Sequence, residues 1–212
     1  MRCPTISSAM NIKPWDQRIA RVLVRPLVGG PVRPNHISAL TLILALAGAA
    51  LLATGEATQV NWGAGLFILS RFLDHFDGEL ARQQGSTSKL GYYLDYVSGG
   101  IGYAALFIGI GVGLVGPLGV WAVILAAAGA ASALISMFSN MAIDNYRDGA
   151  ETLDALGYPG FAGFELEDGI YILGPVTWAG WLLPFFVAAG IGASVYCLWT
   201  IFTHLKHIAA SR

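Results

Sequence analysis

The chain has 212 residues, of which 55% are hydrophobic and only 12% are charged, and its formal net charge is −1. Its mean hydropathy of +0.61 is that of a polytopic membrane protein and argues against a soluble globular domain. The two cysteines, Cys3 and Cys197, do not suggest a disulfide framework.

The first 33 residues are predicted to form a loose tail and a juxtamembrane amphipathic helix, set apart from a membrane domain over 34–212. The helix is expected from Lys13 to Val28, where apolar residues recur at helical spacing with arginines between them. These are Trp15, Ile19, Val22 and Leu23, and Arg18, Arg21 and Arg25. The pattern is typical of a helix lying on an anionic membrane surface, and a plain surface helix is the alternative.

The rest of the chain predicts an all-α fold with six transmembrane helices. The six apolar segments cover about 37–54, 60–82, 90–115, 118–143, 169–182 and 183–204. The boundary between the last two, around Trp181–Pro184, is the least marked. The stretch AAAGAASA in the fourth segment is rich in small residues, which suit close contact between helices.

The placement of positive charge predicts the orientation in the membrane. With six spans, eleven of the twelve Lys and Arg residues lie on, or at the edge of, the side that holds both termini. The loops on the opposite side have none, and Arg71 lies within a span. By the positive-inside rule we expect an inner or plasma membrane protein with cytoplasmic termini.

Ionisable residues are concentrated between Arg71 and Gly100, in a stretch flanked by apolar runs. An unpaired charge at the centre of a membrane helix costs roughly 2.5–3.5 kcal/mol, so such residues mark a functional site by default. Asp74 and Asp77 share a helix face, and a polar turn at 85–88 would bring Asp95 of the next helix against them. Three carboxylates without a Cys or His partner suit Mg²⁺, Mn²⁺ or Ca²⁺.

At the spacing of these residues the chain resembles the CDP-alcohol phosphotransferase family, whose pattern is DxxDGxxAR, eight residues, then GxxxDxxxD. Seven of the eight fixed positions match, and they are Asp74, Asp77, Gly78, Ala81, Arg82, Gly91 and Asp95. At the eighth position, where the family has an Asp, this chain has Gly99. In family members that Asp helps to hold the second metal ion and is thought to be the general base.

The resemblance implies an enzyme of phospholipid biosynthesis that transfers a phosphoalcohol group, phosphatidyl by preference, from a CDP-linked donor to an alcohol acceptor and releases CMP. It implies CDP-diacylglycerol as donor, a homodimer in the lipid bilayer and no nucleic-acid partner. Mg²⁺ or Mn²⁺ is expected at Asp74, Asp77 and Asp95, with two ions possible. Substrate contacts are expected from Gly78, Ala81, Arg82, Ser88, Gly91 and Asn35. Asn35 is equally suited to cap a helix.

Gly99 leaves the general base unassigned, because glycine has no side chain that accepts a proton. Asp168 and Asp144 are the candidates, since both lie where predicted spans meet the cytoplasmic cavity. Two alternatives to an enzyme remain open at this point. One is a non-catalytic family member that binds CDP-lipid or metal, and the other is a transport protein that uses the intramembrane aspartates. The aspartates also fit a structural ion-pair cluster.

Overall fold

The computed structural model describes residues 14–146, 160–161 and 164–210, and this part of the chain is almost entirely helical. The predicted tail and most of the acidic loop after Asp144 lie outside the described residues. The helices are α1 (Trp15–Leu23), α2 (Pro34–Leu52), α3 (Ala57–Gln84), α4 (Lys89–Gly113), α5 (Val115–Leu118), α6 (Val120–Tyr146), α7 (Leu173–Trp178) and α8 (Leu182–Ala210). Two 3-10 helices cover Arg25–Leu27 and Leu166–Ile172, and the strands β1 (Gly160–Phe161) and β2 (Phe164–Glu165) pair antiparallel.

The short connection between α3 and α4 follows from the residues at its two ends. Gly85 adopts a φ of +62°, in the left-handed region that favours glycine, and it ends α3. Ser88 is the N-cap of α4, and its Oγ accepts a hydrogen bond from the backbone N–H of Gly91 at 3.1 Å. The predicted polar turn therefore separates the two helices that carry the aspartates.

The other long helices are arranged around α2. This helix packs along both α3 and α4, while α4 packs along α6 and α6 along α8. The contacts of α2 depend on glycine: a Cβ on Gly48 would lie 2.8 Å from the carbonyl oxygen of Gly63, and a Cβ on Gly109 would lie 2.3 Å from that of Ala49. Only a residue without a side chain allows these backbones to approach so closely.

Within the described part of the chain, four helices are long and apolar enough to cross a membrane, namely Pro34–Leu52, Lys89–Gly113, Val120–Asn145 and Leu182–Lys206. They correspond to the first, third, fourth and sixth predicted spans. Large apolar side chains are exposed on their outer faces; Ile43 is 62% exposed and Leu198 is 68% exposed. Exposed apolar surface on this scale suits contact with lipid and is characteristic of a membrane protein.

The second and fifth predicted spans differ from these four. The second is α3, whose 28 residues are long enough but include the charged stretch. The fifth, expected at 169–182, is a seven-residue 3-10 helix followed by the six-residue α7, so it is not one continuous helix. A helix that crosses a bilayer needs about 20 residues. Pro175 has no backbone N–H to donate, and Gly180, with a φ of +77°, turns the chain before α8.

The face of α1 that packs against α3 is not the face that the apolar pattern predicts. Asp16, Ala20 and Val24 recur every four residues and are at most 2% exposed. Of the apolar residues of the predicted membrane face, Ile19, Val22 and Leu23 are more than 40% exposed, whereas Trp15 is half-buried against Phe72 and Tyr171. An apolar face that points away from the protein agrees with a helix lying on the membrane surface.

Asp16 ties α1 to two other elements. Its Oδ2 lies 2.8 Å from Nε2 of His75 in α3, and it accepts a hydrogen bond from the hydroxyl of Tyr171 at 3.1 Å. Burial by itself raises the pKa of Asp16, but the hydrogen bond and the charge of His75 bring this pKa below its ordinary value. A buried, ionised aspartate thus anchors the N-terminal helix.

Replacing Gly109 by alanine is expected to lower the free energy of unfolding by about 1–3 kcal/mol, because the added methyl group overpacks the contact with Ala49. The matched control is Gly65→Ala in α3, where no atom lies within 4 Å of an added Cβ. Alanine favours a helix over glycine by about 1 kcal/mol, so the control should be neutral or stabilising. Thermal unfolding in detergent compares the two variants, and equal melting temperatures would contradict the close contact between α2 and α4.

Candidate functional site

Three carboxylates from two helices converge at one point. Asp74 and Asp77 come from adjacent turns of α3 and Asp95 comes from α4, and one carboxylate oxygen from each lies within 4.8 Å of the others. Asp74 and Asp77 are buried and Asp95 is half-buried. The structure therefore brings together the three residues whose spacing predicted that they would meet, and we call them the aspartate triad.

The donor set of the triad fits a hard divalent cation. All three ligand atoms are carboxylate oxygens, and no His or Cys of the described residues joins them. No described residue donates a hydrogen bond to the carboxylate of Asp95, so its lone pairs are available to an ion. The triad is thus able to hold a cation such as Mg²⁺ or Mn²⁺ through oxygen ligands.

Two hydroxyl groups of α2 orient the α3 carboxylates. The Oγ of Ser38 donates a hydrogen bond to Oδ2 of Asp77, and Oγ1 of Thr41 lies 3.5 Å from Oδ1 of Asp74. Both hydroxyl-bearing residues are buried, at 7% and 1% exposure. The sequence does not assign them this function, although two hydroxyls three residues apart in an apolar helix are the signal that would find it. Partners of this kind fix how a carboxylate faces a metal ion.

Arg71 connects the triad to a fourth carboxylate. Its Nη2 lies 3.0 Å from Oδ2 of Asp74 and 2.5 Å from Oε1 of Glu167. The hydroxyl of Tyr103 donates to the same Glu167 oxygen at 3.0 Å, and the guanidinium lies 5.1 Å from the centre of the Tyr103 ring. Burial by itself raises the pKa of Glu167, but the charge of Arg71 brings this pKa below its ordinary value.

The sequence does not identify the pairing of Arg71 with Glu167. A buried arginine in an apolar helix requires an anionic partner, so the need for a counterion could be predicted. The partner lies 96 residues further along the chain, in a 3-10 helix, and no periodicity connects the two positions. Glu167 is therefore a site residue that only the structure shows.

The predicted candidate bases occupy different surroundings. Asp144 is 2% exposed at the end of α6 and accepts hydrogen bonds from the hydroxyls of Tyr92 at 2.7 Å and Tyr96 at 3.1 Å. Asp168 is half-buried in the 3-10 helix, directly after Glu167. Within the described part of the chain, neither of them groups with the triad.

Three predicted substrate-binding residues lie together at the first turns of α2 and α4. A Cβ on Gly91 would lie 3.2 Å from Oγ of Ser88 and 3.7 Å from Oδ1 of Asn35. The N-cap of α2 is Arg33, and Asn35 lies inside the first turn, so the alternative role of Asn35 as the helix cap is wrong. Its side chain faces the start of α4 instead.

The other three predicted substrate-binding residues lie towards the end of α3. Arg82 donates from Nε and Nη2 to Oε2 of Glu79, at 3.1 and 2.9 Å. A Cβ on Gly78 would lie 3.5 Å from Nη1 of Arg82. The carbonyl of Ala81 accepts the backbone N–H of Ser86 at 3.0 Å, in the turn that ends the helix. Ala81 thus has a described role in helix capping.

An open cavity of about 370 Å³ lies at this end of α3. Its lining residues come from α1, the 3-10 helix that follows it and α3, and they are Arg21, Arg25, Glu79, Arg82 and Gln83. Three guanidinium groups against a single carboxylate give the cavity a positive potential. Such a potential favours an anionic group.

Comparison with known proteins identifies a family and solved structures of similar fold. The chain matches the CDP-alcohol phosphatidyltransferase family over residues 32–157. Among solved structures it is similar to phosphatidylinositol phosphate synthase of Mycobacterium tuberculosis with CDP-DAG bound, at 22% identity over 92% of each chain and a TM-score of 0.53. The apo form of that synthase covers 88% of this chain and 95% of its own, at 22% identity and a TM-score of 0.51. A comparison with curated proteins gives no match.

Replacing Asp77 by asparagine is expected to weaken Mn²⁺ binding about tenfold or more, because asparagine keeps the shape of the side chain and removes its charge. Calorimetric titration of the purified protein with Mn²⁺ measures the change. Asp144→Asn is the matched control, since it removes an equally buried carboxylate outside the triad. Unchanged Mn²⁺ affinity in Asp77→Asn would exclude a metal site at the triad.

Proposed function

Because this chain belongs to the CDP-alcohol phosphatidyltransferase family, we propose that it transfers a phosphatidyl group from a CDP-linked lipid to the hydroxyl of an alcohol acceptor and releases CMP. The reaction belongs to phospholipid biosynthesis. The convergence of Asp74, Asp77 and Asp95 carries the proposal, because all three lie within the part of the chain that matches the family. The complete triad, in a family of transferases, disfavours the non-catalytic alternative.

The aspartate triad is proposed to hold Mg²⁺ or Mn²⁺, as one ion or as two. Its donors are carboxylate oxygens only, which suits these ions. When bound, the metal stabilises negative charge on the diphosphate and on the departing CMP. Ser38 and Thr41 keep the carboxylates of Asp77 and Asp74 facing the same point, so that the chain itself sets the geometry of the site.

The CDP part of the donor is proposed to bind between the triad and the arginine-lined cavity. Gly78 follows Asp77 directly on α3, and the guanidinium of Arg82 lies beside Gly78. A guanidinium offers paired N–H donors to phosphate oxygens. Further contacts to the nucleotide are proposed for Asn35, at the start of α2, and for Ser88 and Gly91, at the start of α4. Ala81 of α3 completes the proposed binding residues. CDP-diacylglycerol is the proposed donor, and the M. tuberculosis synthase of similar fold was solved with CDP-DAG bound.

The acceptor hydroxyl must lose a proton, and Gly99 cannot take it. We propose Asp168 as the general base, with Asp144 as the second candidate. Asp168 follows Glu167 directly, and Glu167 contacts Arg71 at the edge of the triad, so the 3-10 helix lies beside the site. Asp144 ranks second because it lies at the end of α6, where it accepts hydrogen bonds from the hydroxyls of Tyr92 and Tyr96, and it does not adjoin Glu167.

In the membrane, six spans are proposed, with α3 as the second and the segment at about 169–182 as the fifth. The positive charges then lie on one side, which supports cytoplasmic termini and a cytoplasmic site in the inner or plasma membrane. The division into a juxtamembrane part, 1–33, and a membrane domain, 34–212, is retained. A homodimer is proposed as the working assembly.

The purified protein in detergent is expected to release CMP from CDP-diacylglycerol when Mn²⁺ and a suitable alcohol are present, and to stop when EDTA removes the metal. A panel of acceptor alcohols identifies the second substrate. Asp95→Asn should abolish the release, while Glu56→Gln, an exposed carboxylate before α3, should leave it unchanged. CMP release that persists in EDTA or in Asp95→Asn would contradict the metal-dependent mechanism, and no release with any acceptor would contradict the proposed function.

Removal of the general base is expected to slow the reaction without weakening the metal site. Asp168→Asn should lower the rate of CMP release by roughly 10²–10⁴-fold, the range typical of general-base catalysis, at unchanged Mn²⁺ affinity. Asp144→Asn, assayed in parallel, should have the smaller effect. If the wild type is active and neither variant is slower, then no carboxylate at these two positions serves as the base.

A further inference from the structure

We propose that Arg71 is a substrate-binding residue whose guanidinium binds phosphate oxygens of the CDP-linked donor, and that Glu167 and Tyr103 are positioning residues that hold it there. This inference deepens the proposed function and rests on it. It starts from a buried arginine at the edge of the triad whose donors are only partly used.

The described contacts of Arg71 with carboxylates run through one nitrogen. Nη2 contacts both Asp74 and Glu167, whereas Nε is buried and has no hydrogen-bond partner among the described residues. Nη1 lies 3.9 Å from the point where a Cβ on Gly99 would be, so position 99 places no side chain over it. The whole residue is only 7% exposed. The Nε–H is therefore left for another partner.

Buried N–H groups without a partner are rare in folded proteins, because each loses its hydrogen bonds to water and gains nothing in return. A counterion for Asp74 requires only one nitrogen, which a lysine could also provide. The Nε–H of a guanidinium is a further donor on a charged group, and a lysine ammonium has no donor at that place. Since the triad is where the diphosphate of the donor is proposed to bind, a phosphate oxygen is the partner that fits.

Glu167 and Tyr103 keep Arg71 in this position independently of Asp74. Glu167 contacts Nη2 at 2.5 Å, and Tyr103 donates to Glu167 while its ring lies against the guanidinium. The contact with Glu167 balances the charge of Arg71 without any contribution from Asp74. Phosphate transfer commonly uses two positive charges, either two metal ions or a metal ion and an arginine. Arg71 provides a fixed positive charge of this kind.

The test measures two affinities separately, that of CDP-diacylglycerol with Mn²⁺ and without acceptor, and that of Mn²⁺ alone. Arg71→Gln is expected to weaken CDP-diacylglycerol binding about tenfold to a hundredfold, as for a lost hydrogen bond to a charged group, with no loss of Mn²⁺ affinity. Arg71→Lys, which keeps the charge and loses the Nε–H donor, should give a smaller loss. Arg18→Gln, at an exposed arginine of α1, is the control and should bind like the wild type.

Arg71→Gln leaves the carboxylates of Asp74 and Glu167 without their cation, and the variant could misfold for that reason. The double variant Arg71→Gln with Glu167→Gln avoids this, because it removes one charge of each sign. Glu167→Gln alone should weaken donor binding, and it should add nothing once Arg71 is already glutamine. A folded double variant that binds CDP-diacylglycerol like the wild type would overturn the proposal. So would a parallel fall in Mn²⁺ affinity, because Arg71 would then act only through Asp74. Absence of donor binding in the wild type would refute the proposed function itself.

Discussion

The mutual repulsion of Asp74, Asp77 and Asp95 is the constraint on which the rest of the site depends. Two like charges about 4 Å apart repel by roughly 4 kcal/mol at the effective dielectric constant of a protein, and the triad contains three such pairs within 4.8 Å. Arg71 offsets part of this, at 3.0 Å from Asp74. The hydroxyls of Ser38 and Thr41 orient the carboxylates but add no positive charge. A divalent cation would offset the repulsion while all three carboxylates stay ionised, so the site is suited to such an ion.

The packing of α2 makes this arrangement possible. A helix that lies along both α3 and α4 reaches the site from one side and delivers its hydroxyls to the carboxylates of α3. The glycines at 48, 63 and 109 allow this close approach, because any side chain there would meet the backbone of the facing helix. Small residues on the apolar part of the helices thus determine the positions of charged residues at their ends. A loss of packing far from the triad would loosen the triad as well.

The sequence predicts the parts of the site that follow from local rules. Asp74 and Asp77 share a face because they are three residues apart on one helix, and the turn at 85–88 returns the chain so that Asp95 meets them. Glu167 could not be predicted in the same way, because its position depends on the packing of a distant 3-10 helix. The fifth predicted segment is not one continuous helix for a related reason, since its apolar composition suggests a helix, whereas a 3-10 helix precedes α7 and Gly180 turns the chain after it. The apolar pattern of α1 does not indicate that Asp16 is buried, and its partners His75 and Tyr171 make this burial tolerable.

Position 99 shows how the meaning of one residue changes with its surroundings. In the sequence, Gly99 is a missing carboxylate, and the missing carboxylate argues against catalysis. In the structure, the space above Gly99 faces the guanidinium of Arg71, at 3.9 Å from the position of a Cβ. An aspartate there would lie within reach of Nη1 and would pair with it, which would cancel the positive charge of Arg71 and occupy its free donors. The absence of a side chain at 99 and the presence of an arginine at 71 therefore belong together. Where the resembled family has a carboxylate that helps to hold a cation, this chain has the guanidinium of Arg71, a cation of its own.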